Sequence, residues 1–408
     1  MPDPRSRRSF LTGVLACGTL TAAATYVLPG GRSLPAVELN LVTGPDSSGV
    51  RPLLVDMWNR ANPNTRVRVT TTADTTTDQK LQMLTEARNG TADIVNLDTI
   101  DIPEFARQDL IVPIELPDDQ LFVGRTIDAS RVDNQPGHYW AAPFHTDVGM
   151  LFERLAPDGP RTEATSLAEV LDTRVAPRSQ GFIGQLRPSS SASYEAFVVN
   201  VLEHAISRDN DILDGSGIPA YDLVRWQKAL NPLRDAVADR RVTLADNEQA
   251  SRELFTANPD RRFMRNWPVH YRVMQQHSDA DVRADRIRVY PLPVGILGGR
   301  SLAVVSRSAH RGRAAELIRF LTGEEAQKVT AAYGLPPTRI TAYADPNLKA
   351  FIPHLEAIRG AVETARPRPT HWNYPAFAAA VVKHVLPMVR DGRDLPSAFV
   401  DEIRAALA

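Results

Sequence analysis

Val37-Glu38-Leu39-Asn40-Leu41-Val42 alternates apolar and polar side chains and breaks at Thr43-Gly44-Pro45-Asp46-Ser47-Ser48-Gly49. Directly after that turn-rich loop, Val50, Leu53, Leu54, Met57 and Trp58 recur at helical spacing. Beyond Asn62-Pro63-Asn64 the alternation resumes from Thr65 to Thr71 through Val67 and Val69. A period of two predicts strands and a period of 3.6 a helix. Strand, helix and strand in that order predict a parallel sheet. The same unit then repeats. Leu81 and Leu84 share one face of a predicted helix that stops at Gly90, and Asp93-Ile94-Val95-Asn96-Leu97-Asp98 reads as a buried strand ending in a carboxylate. In an open α/β sheet the loops beyond the carboxyl ends of the strands form the binding crevice. The 43–49 loop and Asp98 both fall there.

Further along, Tyr194, Phe197, Val198, Val201, Leu202 and Ala205 fit a helix. Trp226, Leu230, Leu233 and Val237 fit another, which Pro232 is expected to kink or restart. Ala314, Leu317, Ile318 and Leu321 lead into Thr322-Gly323-Glu324-Glu325, which has the form of a capping box. Ser397 is placed to cap a last helix with Val400, Ile403 and Leu407 inward. The 408 residues, 43% hydrophobic, suggest two domains or one large α/β unit. Lysine plus arginine number 47 and the acids 48, without the basic excess that a nucleic-acid partner calls for. Only five of the basic residues are lysines (80, 228, 328, 349 and 383).

The N-terminus reads Ser6-Arg7-Arg8-Ser9-Phe10-Leu11 and stays apolar to Leu28, an export signal that resembles the twin-arginine type. Cys17, the only cysteine, excludes an internal disulfide and any multi-cysteine metal site. Val14-Leu15-Ala16-Cys17 resembles a lipobox, which makes Cys17 a lipidation candidate. Phe10 to Leu28 is also close to the length of an uncleaved membrane anchor, roughly 20 residues. Both attachments stay open, and both put the rest of the chain outside the cytoplasm.

Trp58-Asn59-Arg60-Ala61-Asn62-Pro63-Asn64, Gly90-Thr91-Ala92-Asp93-Ile94-Val95, Leu97-Asp98 and Pro103-Glu104-Phe105-Ala106 follow one another in order. Tyr139-Trp140-Ala141-Ala142-Pro143-Phe144-His145-Thr146-Asp147, Asn266-Trp267-Pro268, Gly298-Gly299, Gly334-Leu335-Pro336-Pro337 and Ala365-Arg366-Pro367-Arg368-Pro369 come after them. The series resembles family 1 extracellular solute-binding proteins, the capture subunits of bacterial carbohydrate ABC transporters, within a maltose/trehalose-type group. The resemblance implies an α/β, two-lobe periplasmic-binding-protein-like fold. Each lobe would be a mostly parallel sheet flanked by helices, with hinge segments between lobes and ligand held in the cleft. On that pattern residues 1–36 are signal and tether, 37–146 plus 301–341 the N-terminal lobe, and 147–300 plus 342–408 the C-terminal lobe. The implied partners are a small carbohydrate and an ABC permease with its ATPase, with no cofactor, no metal, no nucleic acid and a monomeric chain.

By the same resemblance, Asp98 accepts ligand hydroxyls, His145 and Asp147 meet ligand at the crossover, Trp267 stacks on a sugar ring, Gly298 and Gly299 let backbone approach, and Arg368 clamps. Tyr194, opening a helix beside Glu195, and Trp372, beside Tyr374, are further candidates. Two positions depart from the pattern. Asp101 and Arg300 stand where relatives often carry stacking tryptophans, and they are expected either to pair with each other or to recognise a charged ligand such as an amino sugar or a glycerophosphodiester. Carboxylates, guanidinium groups and aromatic faces suit a polyhydroxyl ligand. No nucleophile elbow, zinc-protease motif or phosphate loop is present. An exported glycosidase with two opposed carboxylates is the reading from another class, and a cation-capture protein comes third. The nine histidines form no i, i+4 pair beside an acid, and His270 and His277 read as surface residues.

Overall fold

A computed structural model describes residues 36–73, 76–132, 135–155, 166–172, 181–188, 194–276 and 286–408. The export signal, Cys17 and His277 lie outside the described residues. Among the described residues there are thirteen strands: β1 Val37–Thr43, β2 Thr65–Thr71, β3 Ile94–Asp98, β4 Ile111–Val112, β5 Ile114–Glu115, β6 His138–Tyr139, β7 Ala142–Val148, β8 Met150–Arg154, β9 Phe182–Gln185, β10 Val242–Ala245, β11 Phe263–Asn266, β12 Ile287–Pro291 and β13 Leu297–Val305. Among the described residues no helix is long and apolar enough to cross a membrane.

The chain divides into two compact units. One holds the described residues up to 73 with Asp78–Thr146 and Gly299–Glu356; the other holds Asp147–Gly298 and Ala357–Ala408. The third passage between units therefore lies 15 residues beyond the boundary expected after 341. The physical reason is packing, because the short helices Ile340–Ala344 and Pro346–Phe351 rest on the helix Glu324–Ala332 of the first unit. Gly299 and Arg300 also join the first unit, since β13 is zipped to β3 with Arg300 opposite Asp98.

The first unit is built on the sheet β2-β1-β3-β13-β4. β1 runs parallel to β2 and β3, and β13 is antiparallel to β3 and β4. Four of these five strands thus point the same way, and β7 joins the sheet as a sixth by pairing with β13. The opening motif forms as its periodicity dictates. In the helix Val50–Ala61, Val50, Leu54, Val55 and Trp58 are buried, and the Trp58 indole donates to the Thr65 carbonyl at 2.7 Å. Asp46 caps this helix from upstream, accepting from the N–H groups of Ser48, Gly49 and Arg51 at 2.9, 3.1 and 2.8 Å, which satisfies donors that the first turn leaves open. The next helix, Thr76–Asn89, turns Gln79, Met83, Leu84 and Ala87 inward, while Leu81 is 56% exposed. At 100° per residue Leu81 falls outside the arc that those four define, so it does not share a buried face with Leu84.

The second unit is built on the sheet β10-β9-β11-β8-β12, with β9, β10 and β11 parallel and β8 antiparallel to β11 and β12. The helices Tyr194–Arg208, Leu223–Ala238, Tyr374–Asp391 and Ala398–Ala406 pack together. Pro232 sits inside an unbroken Leu223–Ala238. Two expected caps do not form. Thr322 instead donates back to the Ile318 carbonyl at 2.9 Å, and Ser397 makes no side-chain cap bond. In that last helix Phe399, Val400, Ile403 and Ala406 are the buried set.

Candidate functional site

In the first unit the polar candidates gather at the carboxyl end of β3. Asp98 closes that strand and caps the short turn Thr99–Asp101, accepting from the Ile100 N–H at 3.3 Å. Arg300, its cross-strand neighbour on β13, donates to Gln79 Oε1 at 2.7 Å and to the Asn96 carbonyl at 3.3 Å. Cross-strand neighbours share a face of the sheet, so a carboxylate and a guanidinium stand side by side there. Arg51 completes this end by donating to the Gly44 carbonyl at 2.8 Å. Burial, opposed by Asp46 and assisted by the nearby charge of Arg300, brings the Arg51 pKa down to about 10.

Asp101 and Arg300 do not pair with each other. Asp101 is buried and bonded to Lys80 at 3.0 Å, and Lys80 also reaches Glu104 at 2.5 Å. A buried carboxylate needs a cation close by, and the preceding helix supplies it in Lys80. Burial pushes the Asp101 pKa up to about 6 even against Lys80, with Asp98 adding to the rise. The charge on Lys80, which burial opposes, is secured by Asp101 and Glu104. His145 lies buried on β7 with its ring at 5.6 Å from that of Phe144.

Gly299 has φ +125°, outside the range that other residues adopt readily. Gly299→Ala is expected to destabilise the unliganded protein by about 1–3 kcal/mol, seen as a lowered melting temperature in scanning calorimetry. A variant that melts with the wild type would show that the backbone there relaxes without strain.

In the second unit Asp147, Gly298 and Trp267 come together. A β-carbon on Gly298 would stand 3.2 Å from Asp147 Cβ and 3.4 Å from Trp267 Cη2, so glycine keeps backbone close to the indole. Trp267 follows β11 directly. Its Nε1 donates to Glu248 Oε1 at 2.9 Å, and the Arg265 guanidinium lies 3.7 Å from the ring centroid. Burial raises the Glu248 pKa, with Arg265 pulling the other way. Arg265 is itself fully buried and forked onto Glu203, at 2.6 and 2.9 Å.

Arg368, expected to clamp ligand, is buried and ion-paired with Glu195. It is 4% exposed and donates to Glu195 Oε1 at 2.6 Å, the same oxygen that accepts the Tyr374 hydroxyl at 2.6 Å. Tyr194 precedes Glu195 at the start of the helix Tyr194–Arg208 and is half-buried, whereas Trp372 is 40% exposed beside His371. His270 is buried, correcting its reading as a surface residue. Lys80, Gln79, Arg51, Glu203, Arg265 and Glu248 were not anticipated as site residues. For Glu203 a signal exists, since every residue from Ala196 to Ile206 is buried, and a charge in a helix without a polar face requires an internal partner. Among the described residues no group of three or more His, Cys, Asp or Glu side chains stands close enough to hold a metal ion.

A family model described as "Bacterial extracellular solute-binding protein" matches residues 54–352. A probable ABC transporter-binding protein of Deinococcus radiodurans is 29% identical over 256 residues, covering 57% of this chain and 59% of that protein. Among solved structures, maltose-bound MalE3 of T. maritima superposes with a TM-score of 0.77 at 24% identity, over 91% of this chain and 99% of that one. The GacH receptor of Streptomyces glaucescens, solved unliganded and with acarbose, gives 0.76 at 17% identity, over 92% and 99%. These likenesses give the chain a two-lobe α/β periplasmic-binding-protein-like fold.

Proposed function

Because the chain belongs to the bacterial extracellular solute-binding proteins, we propose that it captures a small neutral carbohydrate outside the cytoplasm and delivers it to an ABC permease. Its family is one of binding proteins rather than enzymes, which sets aside the glycosidase reading. The observation that carries the choice of ligand is the pairing of Asp98 and Arg300 on neighbouring strands. An acceptor-only carboxylate beside a donor-only guanidinium suits adjacent hydroxyls, each of which both donates and accepts. The aromatic partner in this reading is Trp267, whose face covers the apolar side of a sugar ring. Asp147, Gly298 and Gly299 line the approach, His145 and Tyr194 assist, and Arg368 acts by holding Glu195. Names of relatives support the class, since maltose and acarbose are bound by the proteins compared above.

A neutral ligand is favoured over a cationic one because Asp101 already has Lys80 as its cation. Attachment to the membrane, through a lipid on Cys17 or through the 10–28 apolar run, belongs to this proposal as well. Mass spectrometry of the membrane-extracted protein separates the two.

The test is a melting screen against neutral sugars, sugar phosphates, amino sugars and glycerophosphodiesters. A ligand at 100 times its dissociation constant stabilises the protein by about 2.7 kcal/mol. A neutral sugar is expected to give that shift and Asp98→Ala to abolish it. Shifts given only by charged compounds would overturn the choice of ligand, and a shift retained in Asp98→Ala would remove Asp98 from the site.

A further inference from the structure

We propose that the buried Glu203–Arg265 ion pair is the positioning device for Trp267, fixing the indole from behind and keying it to the strands by which the chain passes between units. The inference rests on the reading of Trp267 as the ring-stacking residue. Arg265 and Glu203 are both fully buried, and the two-point fork between them leaves the guanidinium no freedom to turn. That guanidinium lies 3.7 Å from the Trp267 ring centroid, in the range of cation–π contact. Glu248 holds the opposite edge, accepting from the indole N–H at 2.9 Å while standing 3.9 Å from Arg265 Nη1. The ring is thus set by a cation under one face and a carboxylate at its edge.

Glu203 reaches further. Its Oε1 also accepts the Ile296 N–H at 3.2 Å, and a β-carbon on Gly149 would stand 2.0 Å from the same oxygen. Gly149 lies two residues after Asp147, and Ile296 two residues before Gly298. Those are the positions at which the chain changes units. One carboxylate therefore touches the chain beside two of the three passages and, through Arg265, is tied to the indole. Filling this space alone does not call for charge, because well-packed apolar residues of similar volume serve a core as well as a buried ion pair or better. A forked, planar cation adds what they lack, a fixed flat surface behind the ring.

The experiment uses the full-length chain labelled with 5-fluorotryptophan. The Trp267 fluorine resonance is assigned among the five tryptophans by its loss in Trp267→Phe. Removing either charge alone leaves its partner buried and unpaired, so the informative variant is the double Glu203→Gln/Arg265→Met, which removes both charges at similar volume. Arg265→Lys, retaining charge without the planar fork, accompanies it. Both variants are expected to shift or broaden the Trp267 resonance. Both are also expected to lose at least about tenfold in affinity for maltose, the probe sugar, measured by calorimetry with trehalose alongside. The double variant is expected to melt close to the wild type. A folded double variant with an unmoved Trp267 resonance overturns the proposal, whatever its affinity. Where the double variant fails to fold, Arg265→Lys decides by the same resonance. A wild-type chain that binds neither sugar counts against the ligand reading alone, and the resonance still decides the positioning role.

Discussion

Trp267→Ala is expected to weaken carbohydrate binding by about 30- to 150-fold, the equivalent of roughly 2–3 kcal/mol for one lost aromatic platform. The estimate follows from what the ring offers. An indole face takes apolar ring surface out of water, and the Arg265 guanidinium beneath it means that little ordering remains to be done when ligand arrives. The unliganded protein is not expected to be untouched, because the half-buried ring also bonds Glu248 and covers Arg265. Its loss is expected to lower stability by about 1–2 kcal/mol. Trp267→Phe keeps an aromatic face and gives up the bond to Glu248, so its affinity should fall between wild type and Trp267→Ala. Titration calorimetry of the three proteins, with melting curves beside it, separates the effects. An alanine variant that binds as tightly as wild type while melting lower would show that the indole is packing and nothing more.

What the sequence disclosed of this arrangement follows a physical division. Strand and helix periods are local, so β1 and β2 were legible from alternation, the helix Val50–Ala61 from its 3.6-residue spacing and β3 from its apolar run. The place of Asp98 at the carboxyl end of β3 was legible from the same pattern, and there its side chain caps the turn Thr99–Asp101. Partnerships between side chains far apart in the chain leave no such trace. Lys80 and Asp101 are 21 residues apart, Glu203 and Arg265 62, and Glu195 and Arg368 173. Nothing in local spacing tells a paired charge from a solvated one, which is why the Lys80–Asp101 and Glu195–Arg368 pairs could not be read there. Burial decides these cases, because a charge that leaves water must take a partner with it. The Thr322 and Ser397 caps failed for a related reason. Each motif had the right residues, but a hydroxyl takes whichever acceptor the fold brings nearest, and for Thr322 that was a carbonyl one turn back.

Burial also sets a response to solvent conditions, and it acts oppositely on histidines and carboxylates. His204 and His270, both in the second unit, are buried, and their pKa values are pushed down to about 3 by burial first and then by neighbouring guanidinium groups. For His204 these are Arg208 and Arg265, and for His270 they are Arg252 and Arg265. The unfolded chain accepts those protons at the ordinary histidine value near 6.5. Between the two values the unfolded state holds more protons, so stability rises with pH there and is lost as the medium acidifies from about 6.5 toward 3. Each imidazole therefore withdraws stability as the medium acidifies, and the two effects overlap because Arg265 acts on both. Asp101 in the first unit runs the other way. With its pKa raised to about 6, the folded state is the one that gains a proton between about 4 and 6, so acid stabilises that unit through Asp101. Hydrogen exchange read unit by unit is therefore expected to show protection falling between pH 6 and 4 in the second unit through His204 and His270, while in the first unit the loss through His354, which burial brings down to about 4, is opposed by the gain through Asp101. His204→Phe and His270→Leu should each flatten the second unit's acid limb. Equal protection of the second unit at pH 4.5 and 7.5 would mean that these imidazoles find water or an acid on protonation, and the account of their burial would have to be given up.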